Sequence, residues 1–530
     1  MKAKYISYQD THSFSKLVLD YVNDDEFLKP FYSFRPEMDG LKKAVDARNF
    51  KGNRAELVEV LNQQYLNVKT NKSVNHNINL LADENTFTVT TGHQLNLFTG
   101  PLYFIYKIVT TINLALELKI AYPEKNFVPV YWMATEDHDF EEINHVSVDE
   151  KNISWIQQTN GATGRLSTKT VEAAVRAYKA YLGISKNGKK LAKLVENAYL
   201  TNDNLADATR VLVNSLFQDY GLVIINADDA KLKKQFSSII KQDITEQNSA
   251  HLTEKTTEDL AQKGYKTQVN GREINFFYLI DNLRERIIEK DNQYTVNHTE
   301  IRFTKDELLK EIENHPERFS PNVIMRPLYQ EVILPNIAYI GGGAEVSYWM
   351  QLKANFDFYK TDFPVLLLRN SALLIDKRSA ENLQKLGFKL EDAFLSVEEL
   401  QKTWVQNNST SNLSLADETK AIQTAFEQIK QHSFKIDKTL ESSADSAKTK
   451  TNHLLENLEK KLFRAEKRKH EVSLKQIENV KNRLFPSGTL QERVLNIAPM
   501  YVNYGDDFLS SLIENFQPLG GDFTLLLPSS

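Results

Sequence analysis

The densest group of ionisable side chains in this chain is Glu136, Asp137, His138 and Asp139, followed at once by Glu141, Glu142 and His145. Such a cluster has three chemical uses: a general base, a carboxylate site for magnesium, or a mixed histidine and carboxylate site for a transition metal. An acidic loop that only caps a helix N-terminus would read the same way. No HExxH and no standard two-histidine zinc spacing is present, which argues against a metalloprotease. A second polar group is Thr91, Gly92, His93 and Gln94, which could form a ligand-binding turn; His93 could equally hydrogen-bond its own turn. Lys107 lies at helical spacing from Tyr103 and could reach the same crevice. Arg326 precedes a proline, and a fixed guanidinium there suits a carboxylate or a phosphate. Gly341, Gly342 and Gly343 offer consecutive N–H groups that can cradle an anion. Glu345, Tyr348 and Trp349 follow on the first turns of a helix. The glycine run is neither GxGxxG nor a Walker A loop.

These groups need elements to position them. Residues 87–91 and 127–134 have the length and the Val, Tyr, Phe and Trp content of buried strands. Between them, Ile105, Ile108, Val109, Ile112, Leu116 and Ile120 recur at helical spacing over residues 102–121. This is a strand-helix-strand unit with parallel strands. In open α/β sheets ligands bind beyond the carboxyl ends of the strands, so both polar groups should face one crevice. Gly100-Pro101 opens the helix with proline at the first helical position, and a helix start there would favour an anion.

Taken in order, residues 1–150 read as N-terminal helices and the first half of an α/β core. Residues 151–220 read as a helical insertion. A strand and helix follow over 221–248, then an insertion over 249–319 whose bends fall at Asp281-Asn282 and Asp291-Asn292, as in an antiparallel meander. The core resumes over 320–390, with strands at 337–340 and 363–368 and a helix at 344–354. From Gly387 to Pro486 there is neither Gly nor Pro. Ile422, Phe426, Ile429, Ser433, Ile436 and Leu440 alternate steps of four and three, and Leu455, Leu458, Leu462 and Ala465 repeat the seam. Residues 391–490 therefore read as a coiled coil or helical hairpin, with residues 442–450 as its turn. Residues 491–530 regain apolar character and should dock on the core, with FTLLLP as a last strand.

The 530 residues carry 65 basic and 70 acidic side chains, a net charge of −5, which gives no support to a nucleic-acid partner. With no cysteine, disulfides, iron–sulfur clusters and thiolate zinc sites are excluded. The N-terminus lacks an apolar signal core and no run reaches the roughly 18 apolar residues of a membrane span, so a cytoplasmic protein with no membrane partner is the simplest reading.

Three stretches, TGHQLNLFTGPLYFIYK, PVYWMATEDHDFEEINHV and RPLYQEVILPNIAYIGGGAEVSYWMQLK, resemble the cysteine ligases of bacillithiol biosynthesis, the BshC family, and the similarity extends over nearly the whole chain. The resemblance implies an α/β fold: a Rossmann-like parallel-sheet core with two connective-peptide-like insertions and a long α-helical coiled coil used for homodimerisation. It also implies the last step of the pathway, joining L-cysteine to glucosamine-malate through an amide bond. Activating the cysteine carboxylate calls for ATP, with Mg²⁺ as a further candidate ion. On this reading the Gly92-His93-Gln94 turn, the Gly100 to Lys107 helix start with Tyr103, the Gly341 to Gly343 run, Glu136, Arg326, Glu345 and Tyr348 contact the substrates and nucleotide. Asp137, His138 or Asp139 deprotonates the ammonium, with His93 beside them. The chain lacks the paired-histidine HxGH signature of class I nucleotidyl transferases, so adenylate formation does not carry over by motif. Two other classes stay open: a coiled-coil scaffold with a non-catalytic pocket, and a metal-dependent hydrolase.

Overall fold

A computed structural model describes residues 1–149, 151–409 and 413–528; residue 150, the expected end of the first segment, lies outside them. Five short runs, apolar except for the Thr-rich first, build the central sheet: β1 (Thr86–His93), β2 (Asn126–Met133), β3 (Val223–Asn226), β4 (Asn336–Gly341) and β5 (Val365–Leu368). All neighbours pair in parallel, in the order β5-β4-β1-β2-β3. Strands covered on both faces read as continuous apolar runs, which is why the sequence showed little alternation here. β1 and β2 stay in register from Thr86 opposite Asn126 to His93 opposite Met133. The two polar loops therefore leave the same edge of the sheet. Strand order reverses between β1 and β4, the point where such sheets open a crevice.

Three helices matter for the site: α1 (Leu102–Ala121), α2 (Arg326–Ile333) and α3 (Gly343–Met350). Leu114, Ala115 and Leu118 of α1 pack with Val89, Ile337, Ile340, Val365 and Leu367 of the sheet. The C-terminal segment covers another side of α1. Tyr106 meets Phe516 edge-on with ring centroids 5.1 Å apart, and Asn113 donates to the carbonyls of Ile513 and Phe516 at 2.8 Å each. A helix enclosed like this must be apolar nearly all round. The expected stripe ends early, however: Leu116 and Ile120 are 49% and 82% exposed.

Several expectations are corrected. The N-terminal region is helical except for a first strand, Lys2–Ser7, which pairs antiparallel with Asp522–Leu527; its partner lies at the other end of the chain, so no local turn announces it. A hairpin, His145–Val148 with Lys151–Ser154, precedes the helical insertion. The single helix expected over 230–248 is Ala230–Lys234 and Ser237–Glu246, broken from the next by Gln247 at φ 56. The strand-rich insertion forms as expected, with Asn282, Asp291 and Asn292 left-handed at its two bends.

Met1–Leu373 together with Leu490–Ser530 makes one compact unit and Leu374–Thr489 a second, which takes helix Lys377–Lys385 away from the expected core. In the second unit Ala416–Ile436 and Glu441–Lys469 form an antiparallel hairpin, tied by Lys430 to Glu441 at 3.1 Å and Asp445 at 2.8 Å. Its turn is at Lys438–Leu440, capped by Asp437, and not at residues 442–450. That Ser- and Ala-rich stretch has neither Gly nor Pro and is continuous helix. Among the described residues no helix is long and apolar enough to cross a membrane.

Candidate active site

A cavity of ≈710 Å³ opens at the carboxyl ends of β1, β2 and β4, lined by Gly92, His93 and Gln94 from the first loop and Glu136 and Asp137 from the second. Gln94 Nε2 donates to Asp137 Oδ2 at 2.6 Å and to Glu142 Oε2 at 2.9 Å, so the two loops are directly bonded. Burial alone would raise the Asp137 carboxyl. Hydrogen bonds involving His138 and Gln94, with the Arg284 charge, instead hold it well below the usual carboxylate range. A carboxylate so stabilised attracts a cation and is a poor proton acceptor, which counts against the general-base role expected for it.

His93 packs against Phe104, stacked at 5.0 Å, and Tyr103, edge-on at 5.3 Å. Its Nε2 is buried without a hydrogen-bond partner. Burial first, then the Lys107 and Arg369 cations, hold the imidazole well below its ordinary pKa, so it stays neutral at neutral pH. His138 and Asp139 are exposed and do not line the cavity. His138 Nδ1 lies 2.9 Å from Arg284 Nη1. A guanidinium only donates, so this nitrogen accepts and is already engaged. Asp139 precedes a short helix, Phe140–Ile143, whose first turn carries Glu141 and Glu142, but the Asp139 side chain makes no capping hydrogen bond. His145 is exposed at the start of the hairpin.

Lys107 lines the cavity from its inner side and does not stand free at the mouth. It is 1% exposed, with Nζ 2.6 Å from the Gly92 carbonyl and 2.8 Å from Glu345 Oε1. Burial would raise Glu345, but Lys107, the Gly342 N–H and the Tyr339 hydroxyl together keep it low. Glu345 is therefore the anion that occupies the glycine turn. Gly341, Gly342 and Gly343 do not line the cavity, and this carboxylate, on the third residue of α3, accepts from the Gly342 N–H. Gly92 matters sterically: a Cβ there would sit 3.2 Å from the Tyr339 hydroxyl. Trp349 is fully buried core.

Gly100 and Pro101, just before α1, are also outside the cavity, whereas Tyr103 in the first turn of α1 lines it. Phe98, Thr99 and Gly100 all have positive φ (48, 74 and 60), a strained turn held from the far end of the chain. Asn496 Nδ2 donates to the carbonyls of Phe98 at 2.8 Å and Gly100 at 2.7 Å, and Leu495 O accepts from Leu102 N at 2.8 Å. Pro101 precedes the first turn. The helix start is plugged by protein, so an anion has no place there.

Arg326 lines the cavity with its guanidinium carbon 5.8 Å from the rings of Trp132, Tyr339 and Trp349. Its Nη2 is buried and unpartnered, an arrangement that leaves a donor for an anion. Tyr103 and Tyr348 also line the wall. Glu136 is paired with Lys233, which is itself fully buried and donates to Phe319 O at 2.9 Å. Burial raises the Glu136 carboxyl against the pull of that ammonium.

The family models described as "Bacillithiol biosynthesis BshC, N-terminal Rossmann-like domain" and "C-terminal coiled-coil domain" match residues 1–370 and 372–527. A relative in Flavobacterium psychrophilum, named "Putative cysteine ligase BshC", is 47% identical over 99% of both chains. Similarly named relatives in Flavobacterium johnsoniae and Bacillus cereus are 46% and 30% identical, over 99% and 94% of this chain and 100% and 95% of theirs.

The chain belongs to the BshC family.

As a BshC family member it has the Rossmann-like core and coiled-coil region that the resemblance implied. The cavity contains more than the sequence offered. Arg272, Arg284 and Arg286 line it from the strand-rich insertion and the loop before it. Arg284 is buried over the Phe277 ring at 3.9 Å and donates to Ser320 Oγ at 3.0 Å. The Arg272 and Arg286 side chains have no hydrogen-bond or ion-pair partner among the described residues. A spacing of two along one strand, Arg284 to Arg286, was a readable signal that both share a face. Nothing local marked Arg272 or Lys233. In this BshC family chain the cavity thus combines fixed carboxylates, a neutral imidazole and free guanidinium donors.

Proposed function

We propose that this cavity joins the carboxyl carbon of L-cysteine to the amine of glucosamine-malate, forming an amide in the last step of bacillithiol biosynthesis. The names of the relatives support the cysteine ligase chemistry. The observation that carries the reading is the Gln94–Asp137 bond, which brings both loops to one cavity that also holds unpaired guanidinium donors. Amide formation requires the amine of one acidic partner and the activated carboxyl of the other to be held together, and orientation supplies much of the rate.

Arg272, Arg286 and Arg326 bind carboxylate or phosphate oxygens. Asp137, kept ionised, holds the incoming ammonium, and the neutral His93 stands beside it in the cavity wall. ATP supplies activation of the cysteine carboxyl group; the orphaned Arg326 Nη2 and the two free arginines fit a polyphosphate. Mg²⁺ is assigned here only as counter-ion to those phosphates. The enzyme acts in the cytoplasm as a homodimer joined through the hairpin, a reading supported by exposed Ile429, Phe434, Ile436, Leu454, Leu458 and Leu462. Purified protein given cysteine, glucosamine-malate and ATP should yield the cysteinyl amide by mass spectrometry. Absence of that product with every nucleoside triphosphate would overturn the reading.

A further inference from the structure

A chain of buried polar side chains runs from this cavity toward the opposite end of the sheet. Arg326 Nη1 donates to Gln330 Oε1, one turn along α2, at 3.0 Å. Gln330, with no exposed surface, donates from Nε2 to Glu331 Oε1 at 2.9 Å. The same oxygen accepts from Asn336 Nδ2 at 2.8 Å, and Asn336 Oδ1 accepts from Thr90 at 2.8 Å and Thr88 at 3.2 Å on β1. The other oxygen, Oε2, lies 3.3 Å from Arg48 Nη1. Arg48 is anchored by the carbonyls of Glu331, Leu334 and Asp362, beside a separate cavity at the amino ends of β4 and β5. One buried carboxylate stands between two guanidinium groups, reaching Arg48 directly and Arg326 through an amide.

The amide has two orientations and only one serves Arg326. With its NH₂ toward Glu331, Gln330 presents its carbonyl to the guanidinium; turned over, it would set donor against donor. An ionised Glu331 accepts and cannot donate, so it fixes the first orientation. A protonated Glu331 can donate to the amide oxygen, and only the guanidinium then opposes the turned orientation.

We propose that Gln330 and Glu331 are positioning residues for Arg326: they hold its guanidinium against the cavity wall with Nη2 left for an anionic ligand. This rests on the reading that the cavity takes acidic substrates, and goes beyond it by assigning a role to side chains that touch none. The charged groups facing Glu331 are Arg48, with Asp362 3.9 Å behind it, and Arg326 on its own helix; Asn336 and Gln330 are neutral. Burial lifts the Glu331 carboxyl to about 7 against the opposing pull of Arg48, so the hold on Arg326 weakens on the acid side of neutrality.

The test uses the full chain with Glu331→Gln and Gln330→Met, each checked for folding by thermal melting. In a crystal structure of E331Q the Gln330 amide is expected to turn and the Arg326 guanidinium to leave its place; an unmoved guanidinium would overturn the proposal. Calorimetric titration with L-malate, which keeps both charges from pH 6 to 8, should show wild-type affinity falling about fivefold toward pH 6, a charge-assisted bond's worth. E331Q and Q330M should be about fivefold weaker at pH 8 and flat with pH, whereas H138Q keeps the wild-type slope. A wild-type slope in E331Q refutes the relay. If wild type binds no malate, the substrate reading fails, and the relay is judged on whether Arg326 moves in E331Q.

Discussion

The side-chain amide of Gln94 donates to the carboxylate of Asp137 across 2.6 Å, joining the loop after β1 to the loop after β2. This bond and the parallel register beneath it make one site from two separate polar runs.

Asp137→Asn keeps the shape and removes the charge. Ligation should fall about 100-fold in kcat/KM, the size of effect expected when a positioned ionic group is lost from a catalytic site. Because the folded carboxyl is held low, its contribution to stability is present above the ordinary carboxylate range and lost only as pH falls through its depressed value. Urea denaturation at pH 5.5 and pH 8 should therefore give the same difference between D137N and wild type; a difference that grows between the two would contradict the assignment.

Lys107→Met leaves the partly buried Glu345 carboxylate without its ammonium partner. A loss of about 3 kcal/mol is expected, the usual result of breaking a buried pair from one side. The double variant with Glu345→Gln should recover part of it. Denaturant curves for the four proteins form a double-mutant cycle, and additive losses would show that the pair is not coupled.

Glu331 offers a pH signature in stability. Its folded pKa, about 7, lies above the unfolded carboxylate value, so the folded state binds the proton more tightly. The stabilisation is fully present below the unfolded pKa and is lost as pH rises from there through about 7. Wild type should lose about 3 kcal/mol over that range relative to Glu331→Gln. Parallel unfolding curves for the two proteins from pH 5 to 8 would exclude the shift.

Asn496→Ala removes the side chain that satisfies the Phe98 and Gly100 carbonyls and accepts from Tyr178. Unpaired buried acceptors cost about 1–3 kcal/mol each, so a loss near 3 kcal/mol is expected. Hydrogen exchange should rise first over residues 96–104; uniform protection there would show that the plug is not what holds the turn.

Much of the fold was legible because local pattern decides it. Helical spacing over residues 102–121 and strand composition on either side placed α1, β1 and β2, and the Asn and Asp pairs at 281–282 and 291–292 marked both bends of the meander. The hairpin was announced by a long stretch without Gly or Pro, though not its turn, since Asp437 caps it with no helix-breaking residue.

What the sequence by itself determined is that polar residues follow two parallel strands, and hence that a crevice lies at their carboxyl ends. Tertiary structure alone decided which of those residues face it. Lys107 went inside to pair with Glu345, the glycine run was closed by that same carboxylate, the start of α1 was plugged by Asn496, and three arginines arrived from an insertion. Periodicity records which side of an element is buried. The Gly342 N–H is closed by a carboxylate three residues on, but the partners of Lys107 and of the carbonyls before α1 lie hundreds of residues away, and no local spacing encodes their arrival.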